Sequence, residues 1–406
     1  MKHLLSHIKV LDLSRVLAGP WSGQMLADLG AEVIKVERPG AGDDTRAWGP
    51  PFLKDKNGEN SKESGYYLGV NRGKKSITVD ISKPRGQDII KALAKDADII
   101  LENYKVGTLG RYQLDYDSIR KINEKIIYCS ITGFGQTGPK SNQLAYDFLI
   151  QAMGGLMSVT GEKDQNPGGG PQKVGIPIID LITGSYATIG ILAALASREV
   201  TGQGEYIDMS MLDVQVGLLS NQAMNYLMTG KTPLRNGNAH PNIQPQDVFK
   251  CSDGQIVLAV GNDSQFEKLC EALELTELCN DQRFKTNAQR IKNLLELRSL
   301  LDQAFIKNSR SYWTQKMQDA EVPCGPINSI AEALNDPQIV HRQMVRELDH
   351  PISGKVPQVM TPFHFTNSSI KVDQAPPLLG QHTLSILSDL GLSDDEIQKL
   401  KDDCVI

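Results

Sequence analysis

One acidic residue stands in an otherwise apolar segment near the middle of this 406-residue chain. Residues 174–184 read V-G-I-P-I-I-D-L-I-T-G, and Asp180 is their only charged side chain. Because residues 181–198 carry apolar and small side chains at helical spacing, Asp180 lies where an extended segment turns into a helix. A carboxylate there either caps the helix by accepting a first-turn N–H, or stays ionised in a dry pocket and acts chemically. This segment alone leaves both roles open.

The composition is that of an ordinary soluble protein, with 40% hydrophobic and 22% charged residues. No apolar run reaches the ~18 residues that a membrane span needs, and the N-terminus lacks the pattern of a secretory or transit peptide. We therefore expect a cytoplasmic protein without a membrane partner. Six cysteines are scattered without a C-x-x-C pair or clustered histidines, which argues against a disulfide framework and a metal site.

The net charge of −5 gives no indication of nucleic-acid binding, but the charge is unevenly distributed. Residues 1–111 carry a net charge of +4, whereas the remaining residues carry −9. A basic first quarter in an acidic protein suggests that an anionic ligand binds there, although solvated lysines would give the same balance.

Strands alternate with helices throughout the first 135 residues. The pattern predicts strands over residues 8–13, 32–37, 75–81, 97–103 and 125–132. This order is typical of a three-layer, Rossmann-like α/β fold with a doubly wound parallel sheet. We expect a large α/β domain over residues 1–220, a smaller α+β domain over 221–325, and a return segment with C-terminal helices over 326–406. A second long apolar helix is predicted over residues 212–227.

Ligands of such sheets bind outside the carboxyl ends of the strands. After the first predicted strand that end presents residues 15–18, and after the second it presents Arg38. A cation in this place suits a phosphate group, although Arg38 could also be a plain surface arginine. The loop glycines do not follow the G-x-G-x-x-G spacing, so a nicotinamide cofactor is not indicated.

Several longer motifs occur in order along nearly the whole chain. They include LDLSRVLAGP, RPGAGDDTRAWGPPF, VNRGKKSITVDI, DIILENYKVGTLGR, CSITGFGQTGP, VGIPIIDLITG and PPLLGQHT. Together they resemble the class III (CaiB/BaiF-type) coenzyme A-transferases, the formyl-CoA transferase and carnitine-CoA transferase group. The motifs are most similar to the branch that includes succinyl-CoA:glutarate CoA-transferases.

The resemblance assigns roles to particular positions. It implies that Asp180 is the catalytic carboxylate and that CoA is a substrate, with no tightly bound cofactor. It also implies an intertwined homodimer. The positions implied to bind the acyl-CoA, or to lie beside Asp180, are Arg15, Leu17, Ala18, Arg38, Val79, Asp80, Ile81, Ser82, Asn103, Tyr104, Lys105, Arg111, Tyr146 and Asp147.

This chemistry needs little beyond one carboxylate. Asp180 would attack the thioester of an acyl-CoA, for which we expect succinyl-CoA, to form a mixed anhydride and then an aspartyl-CoA thioester. An ionised nucleophile requires no general base, which is consistent with the lack of a Ser-His-Asp set or a metal motif in the sequence. Water must be kept away from the intermediate, and residues 163–170 and 236–246 are candidate closing segments.

The acceptor is predicted to be a free carboxylic acid, and a dicarboxylate would need a cation for its far carboxylate. Arg46 and His240 are candidates, with Trp48 shaping the pocket. Each has an ordinary alternative: a salt bridge from Arg46 to Asp43 or Asp44, an exposed loop histidine, and a core tryptophan.

Other activities remain as alternatives. Formyl-CoA:oxalate and acetyl-CoA:oxalate transferases share most of the motifs. The α-methylacyl-CoA racemases resemble the chain in fold, but they pair the aspartate with a histidine of a G-H-D motif, where this sequence has Ala145-Tyr146-Asp147. A non-catalytic CoA-thioester-binding protein is the third alternative.

Overall fold

A computed structural model describes residues 3–406 of the chain. The fold divides into two compact units. The first consists of the chain up to Gly155 together with Val174–Ser220 and Pro337–Ile406, and the second consists of Leu156–Lys173 and Asn221–Asp336. The second unit thus includes a short segment from within the predicted large domain and the first residues of the predicted return segment.

The described residues form thirteen strands. In chain order they are β1 (Lys9–Asp12), β2 (Glu32–Glu37), β3 (Phe52–Lys54), β4 (Asn60–Ser64), β5 (Lys74–Thr78), β6 (Ile99–Glu102), β7 (Ile127–Thr132), β8 (Glu205–Ser210), β9 (Gln246–Cys251), β10 (Gly254–Ala259), β11 (Cys324–Pro326), β12 (Val345–His350) and β13 (Gly354–Val359).

Nineteen α-helices lie between and after these strands in the described part of the chain. They are α1 (Ala18–Asp28), α2 (Gly65–Leu68), α3 (Pro84–Lys95), α4 (Thr108–Arg111), α5 (Tyr116–Arg120), α6 (Asp147–Met153), α7 (Leu156–Val159), α8 (Ile178–Thr201), α9 (Met211–Leu218), α10 (Ser220–Thr229), α11 (Asp263–Ala272), α12 (Glu277–Asn280), α13 (Asn287–Lys292), α14 (Leu294–Phe305), α15 (Arg310–Asp319), α16 (Ile330–Leu334), α17 (Pro337–His341), α18 (Thr383–Asp389) and α19 (Asp394–Asp402).

The first unit is built on a six-stranded sheet in the order β5-β2-β1-β6-β7-β8, and all neighbouring strands run parallel. Alternate residues of its strands face opposite layers, as a pleated strand requires. In β1, Leu11 packs into the apolar cluster that includes α3, α18 and α19, whereas Val10 packs into the cluster beneath α1 and α8. The predicted three-layer, doubly wound parallel fold is confirmed.

Helix α8 is the longest element and lies against α1, β7 and β8. Within its 24 residues an 18-residue window reaches a mean hydropathy of 1.8, which by length and composition alone would suffice to cross a membrane, contrary to the expectation that no apolar segment is long enough. In this fold Ala187 and Ile191 of α8 belong to the core of the first unit. A helix that covers a parallel sheet is apolar for the same reason as a membrane helix, because its surroundings exclude water.

The single helix predicted over residues 212–227 is wrong. The structure has two helices, α9 and α10, which meet at Ser220. Ser220 has a φ of 44°, in the left-handed region, so the right-handed helix cannot continue through it. Apolar periodicity does not predict a turn of this kind, because the apolar side chains continue in the second helix.

The second unit has its own core. A three-stranded antiparallel sheet in the order β11-β10-β9 packs with α11, α14 and α15 around buried residues such as Phe249, Phe266, Phe305 and Trp313. Two antiparallel hairpins, β3-β4 and β12-β13, belong to the first unit.

Candidate active site

Asp180 is the third residue of α8, which begins at Ile178 after the N-cap Pro177. The alternative that Asp180 caps this helix is therefore wrong, because a cap residue precedes the first turn and Asp180 lies within it. Its carboxyl group is half-buried. The Asp180 side chain does not cap the helix and is available for other chemistry.

Asp147, the first residue of α6, does the capping instead. Its Oδ2 accepts the backbone N–H groups of Ile179 (2.7 Å) and Asp180 (3.2 Å). Its Oδ1 accepts a hydrogen bond from Gln151 Nε2 at 2.5 Å, and Gln151 Oε1 accepts the N–H of Val174. Asp147 and Gln151 are buried, so two side chains of α6 fix both the start of α8 and the segment that leads into it.

Burial, and then the negative charge of Asp147, raise the pKa of Asp180 from 3.8 to about 7. The sequence predicted that Asp180 stays ionised at the start of the helix, and the raised pKa corrects that prediction. Asp147 already occupies the first-turn N–H groups, and it adds a like charge beside Asp180. Near neutral pH the group is divided between its acid and carboxylate forms.

Aromatic side chains lie beside these carboxyl groups. Burial raises the pKa of Tyr66, and the nearby charges of Asp180 and Asp147 raise it further. The ring of Trp48 meets the Tyr66 ring edge to face, with centroids 5.1 Å apart. Trp48 is 40% exposed, so the alternative of a core tryptophan is wrong. Tyr66, which the sequence analysis missed, lies in the motif S-G-Y-Y-L, where two adjacent tyrosines follow the β3-β4 hairpin.

A groove of about 450 Å³ opens at the carboxyl ends of β1, β2 and β5. Among its lining residues are Arg15, Arg38, Val79–Ser82 and Tyr104. The guanidinium of Arg15 lies over the Tyr104 ring, 5.0 Å from its centroid, and Arg38 is exposed. Two cations at strand ends beside an aromatic ring can hold an anionic ligand that also has a flat or apolar part.

Comparison with known proteins identifies the family. The model of CoA-transferase family III matches residues 5–383. The chain belongs to CoA-transferase family III. The prediction made from the sequence motifs is confirmed at this level.

Several related proteins match this family III CoA-transferase over almost its whole length. It is 46% identical to a succinate–glutarate CoA-transferase of Agrobacterium fabrum over 95% of each chain. It is 45% identical to the human succinyl-CoA:glutarate CoA-transferase, covering 96% of this chain and 87% of the human one. The crystal structure of a CaiB/BaiF family protein from Brucella suis matches with a TM-score of 0.82 and 46% identity, over 94% of this chain and 98% of the other.

Not every predicted CoA contact of this CoA-transferase lines the groove. Leu17 and Ala18 are buried at the start of α1, and Asn103 holds the backbone of Arg15. Lys105 lines a neighbouring cavity, and Arg111 is exposed at the end of α4 outside the groove lining. Tyr146 is exposed immediately before α6. The groove has further lining residues that the motifs did not single out: Lys35, Val36, Glu37, Gly42, Asp43, Asp44, Thr108 and Tyr112.

The structure does not leave Arg46 free to bind an acceptor acid. Only 7% of it is exposed. Its guanidinium pairs with Glu37 (2.7 Å) and Glu63 (3.0 Å), donates to the carbonyl of Pro377, and lies 3.7 Å from the centroid of the Tyr67 ring. The prediction of an acceptor-binding arginine is wrong, and so is the alternative of a salt bridge to Asp43 or Asp44. The partners come from β2 and β4, and only the tertiary structure brings them to Arg46.

The two candidate closing segments both lie in the second unit. Arg235, which precedes one segment, forms an ion pair with Asp164 of the other and donates to the Ser158 carbonyl at 3.0 Å. His240 is half-buried, and its Nδ1 accepts the N–H of Asn242 at 3.1 Å. Because the segments are tied to each other, a displacement of one moves the other. Among residues 3–406 no group of three or more His, Cys, Asp or Glu side chains is placed to hold a metal ion.

Replacing Asp147 tests its electrostatic effect on Asp180. We expect Asp147→Asn to move the acidic limb of the pH profile of kcat/KM to lower pH by about one unit, because a like charge beside Asp180 is removed while an oxygen remains to cap α8. Because the ionised form of Asp180 is the nucleophile, a lower pKa of Asp180 keeps the enzyme active at more acidic pH. Asp147→Ala is the matched variant, and it should lose about 1 kcal/mol of stability with the cap. A limb that stays in place in Asp147→Asn would contradict the assignment.

Proposed function

We propose that this chain transfers CoA from succinyl-CoA to a free dicarboxylic acid, with glutarate as the preferred acceptor, through a covalent intermediate on Asp180. The observation that carries the proposal is the position of Asp180, a half-buried carboxyl group at the start of α8 beside Asp147 and Tyr66. The substrates are inferred from the names of the relatives in Agrobacterium fabrum and humans.

The reaction proceeds in four balanced steps. The ionised Asp180 oxygen attacks the thioester carbonyl of succinyl-CoA. The C–S bond breaks, CoA thiolate is expelled, and a mixed succinyl-aspartyl anhydride forms. The thiolate then attacks the aspartyl carbonyl, which releases succinate and forms an aspartyl-CoA thioester. Glutarate attacks that carbonyl and displaces the thiolate again. The thiolate finally attacks the glutaryl carbonyl, which yields glutaryl-CoA and free Asp180.

No proton is gained or lost over the cycle, since each attacking and leaving group is an anion. The local environment of Asp180 supports this chemistry in two ways. Burial strips water from the carboxylate and makes its attack easier, and a pKa of about 7 still leaves a large ionised fraction at neutral pH. The exposed Arg38 at the end of β2 and the Arg15–Tyr104 pair provide cations and an aromatic face for the anionic CoA.

A second copy of the chain covers the outer face of α8. Tyr186, Ile189 and Val200 lie on one side of this helix, with Ile189 61% and Val200 88% exposed. A row of large apolar side chains open to water is typical of a surface that binds another protein. We expect light scattering to give the mass of a dimer, and Ile189→Glu combined with Val200→Glu to give a monomer. A wild-type monomer would contradict this part of the proposal.

The function is tested by incubating the protein with succinyl-CoA and separate acids: glutarate, succinate carrying an isotopic label, malate, itaconate and oxalate. The expected result is acyl exchange that is fastest with glutarate. Preference for oxalate would assign the activity to the oxalate branch. Hydrogen exchange at the α-carbon of a branched acyl-CoA without CoA transfer would indicate a racemase, and no turnover with any acid would indicate a binding protein.

A further inference from the structure

The loop between β1 and α1 contains a strained residue. Val16 has a φ of 69°, in the left-handed region that a β-branched side chain rarely adopts. Such a conformation persists only where the surroundings hold it in place, and it concentrates at functional sites. In this chain it separates Arg15, which lines the groove, from Leu17 and Ala18, which begin α1.

One buried ion pair holds both sides of this turn. Asp43 accepts the N–H of Val16 on both carboxylate oxygens, at 3.2 and 3.3 Å. Lys35 Nζ lies 2.8 Å from Asp43 Oδ2 and donates to the carbonyl of Ser14 at 2.9 Å. The residue between Ser14 and Val16 is clamped separately, since the Asn103 side chain bonds both the N–H and the carbonyl of Arg15. Each backbone polar group from the Ser14 carbonyl to the Val16 N–H thus meets a side chain from another element.

The pair is charged although it is buried. Lys35 is 1% and Asp43 2% exposed. Burial opposes ionisation of Asp43, but the Lys35 ammonium and the hydrogen bonds from Lys35 and Thr45 outweigh it and lower the pKa to about 2. Removing two charges from water costs about as much as their attraction returns, so a buried pair of this kind contributes little net stability compared with apolar side chains. We therefore attribute the role of the pair to the backbone conformation that it holds at residues 14–16.

The turn also reaches the helix that carries Asp180. The carbonyl oxygen of Ala18 packs so closely against α8 that only a glycine, Gly184, fits opposite it. Gly184 lies one turn after Asp180 on the same helix. The conformation of Val16 therefore sets the position of Arg15 toward the groove and of Ala18 toward the catalytic helix.

We propose that Lys35 and Asp43 are positioning residues for acyl-CoA, which act by holding Val16 in its left-handed conformation so that the loop at residues 15–18 is fixed before substrate binds. This inference rests on the proposed function, since it takes the groove as the acyl-CoA site. Both residues are among those that line the groove, but their side chains are almost completely buried, so we expect them to act through the loop and not by direct contact with the substrate.

The test uses Asp43→Asn, which keeps the shape of the side chain and removes the charge that orders Lys35 and Val16. We expect KM for succinyl-CoA and the dissociation constant of free CoA, measured by calorimetry, to rise about tenfold, the usual effect of losing a hydrogen bond to a charged group. The KM for glutarate should change less than twofold. In Asp43→Asn with Val16→Gly most of the CoA affinity should return, because glycine adopts a positive φ without strain.

A matched control separates positioning from general stability. Asp28 and Arg72 form another buried pair in the first unit, 2.7 Å apart, and neither residue is among those that line the groove. Asp28→Asn should lower the melting temperature while leaving both KM values unchanged. Unchanged CoA affinity in Asp43→Asn, or failure of Val16→Gly to restore it, would overturn the inference. If the wild type binds CoA but transfers none, the proposed function fails, and the calorimetric comparison still decides the role of the pair.

Discussion

Asp180→Asn is expected to lower CoA transfer from succinyl-CoA to glutarate by at least about 10⁴-fold, because the covalent route loses its nucleophile and no neighbouring group can replace it. Asp147 is buried and its oxygens are engaged by backbone N–H groups and Gln151. Wild-type protein quenched during turnover with hydroxylamine should carry a hydroxamate at position 180, detectable by peptide mass spectrometry. Turnover that leaves Asp180 unmodified would overturn the mechanism.

Thermal unfolding of the same variant checks that its loss of activity does not come from unfolding. Since the pKa of Asp180 is raised to about 7 in the folded protein, the native state binds a proton more tightly than the unfolded chain. Its stability therefore falls as pH rises from about 4 through 7. Asp180→Asn removes the cost of ionising this buried carboxyl group. The variant should therefore melt at a higher temperature than wild type at pH 8 and at nearly the same temperature at pH 4. Asp180→Ala serves as the parallel variant, because asparagine can revert by deamidation.

Gly184→Ala is expected to lower both activity and stability. A methyl group at this position would overlap the carbonyl oxygen of Ala18 and lie 3.1 Å from Trp21 Cβ. The overlap is with backbone, so α8 and α1 must move apart, and Asp180 moves with α8. We expect kcat/KM to fall about 10²-fold through misplacement of the nucleophile and stability to fall by about 1–3 kcal/mol.

Gly190→Ala, on the same helix, is the control. A methyl group there would meet only Ile207, at the ordinary contact distance of 3.7 Å. We expect wild-type activity and a stability equal to or slightly above wild type, by up to about 1 kcal/mol, because alanine favours helix over glycine. If both variants kept full activity, close packing of α1 on α8 would not be what positions Asp180.

The sequence by itself determined the fold class and the family. The alternation of strands and helices predicted the parallel sheet, since strands such as IILE of β6 and IYCSIT of β7 are short, mostly apolar runs bounded by loop residues. The acidic residue at position 180 was evident for a similar reason: a lone charge in an apolar segment is conspicuous whatever surrounds it in space.

Only the tertiary structure decided what each charge does. Arg46 is paired with Glu37 and Glu63, Asp147 rather than Asp180 caps α8, and Lys35 joins Asp43 beneath the loop at Val16. The partners in these pairs are between 8 and 33 residues apart in the chain, beyond the reach of local patterns. The free energy of a buried charge depends on the groups within a few ångströms of it, and that environment exists only once the chain has folded.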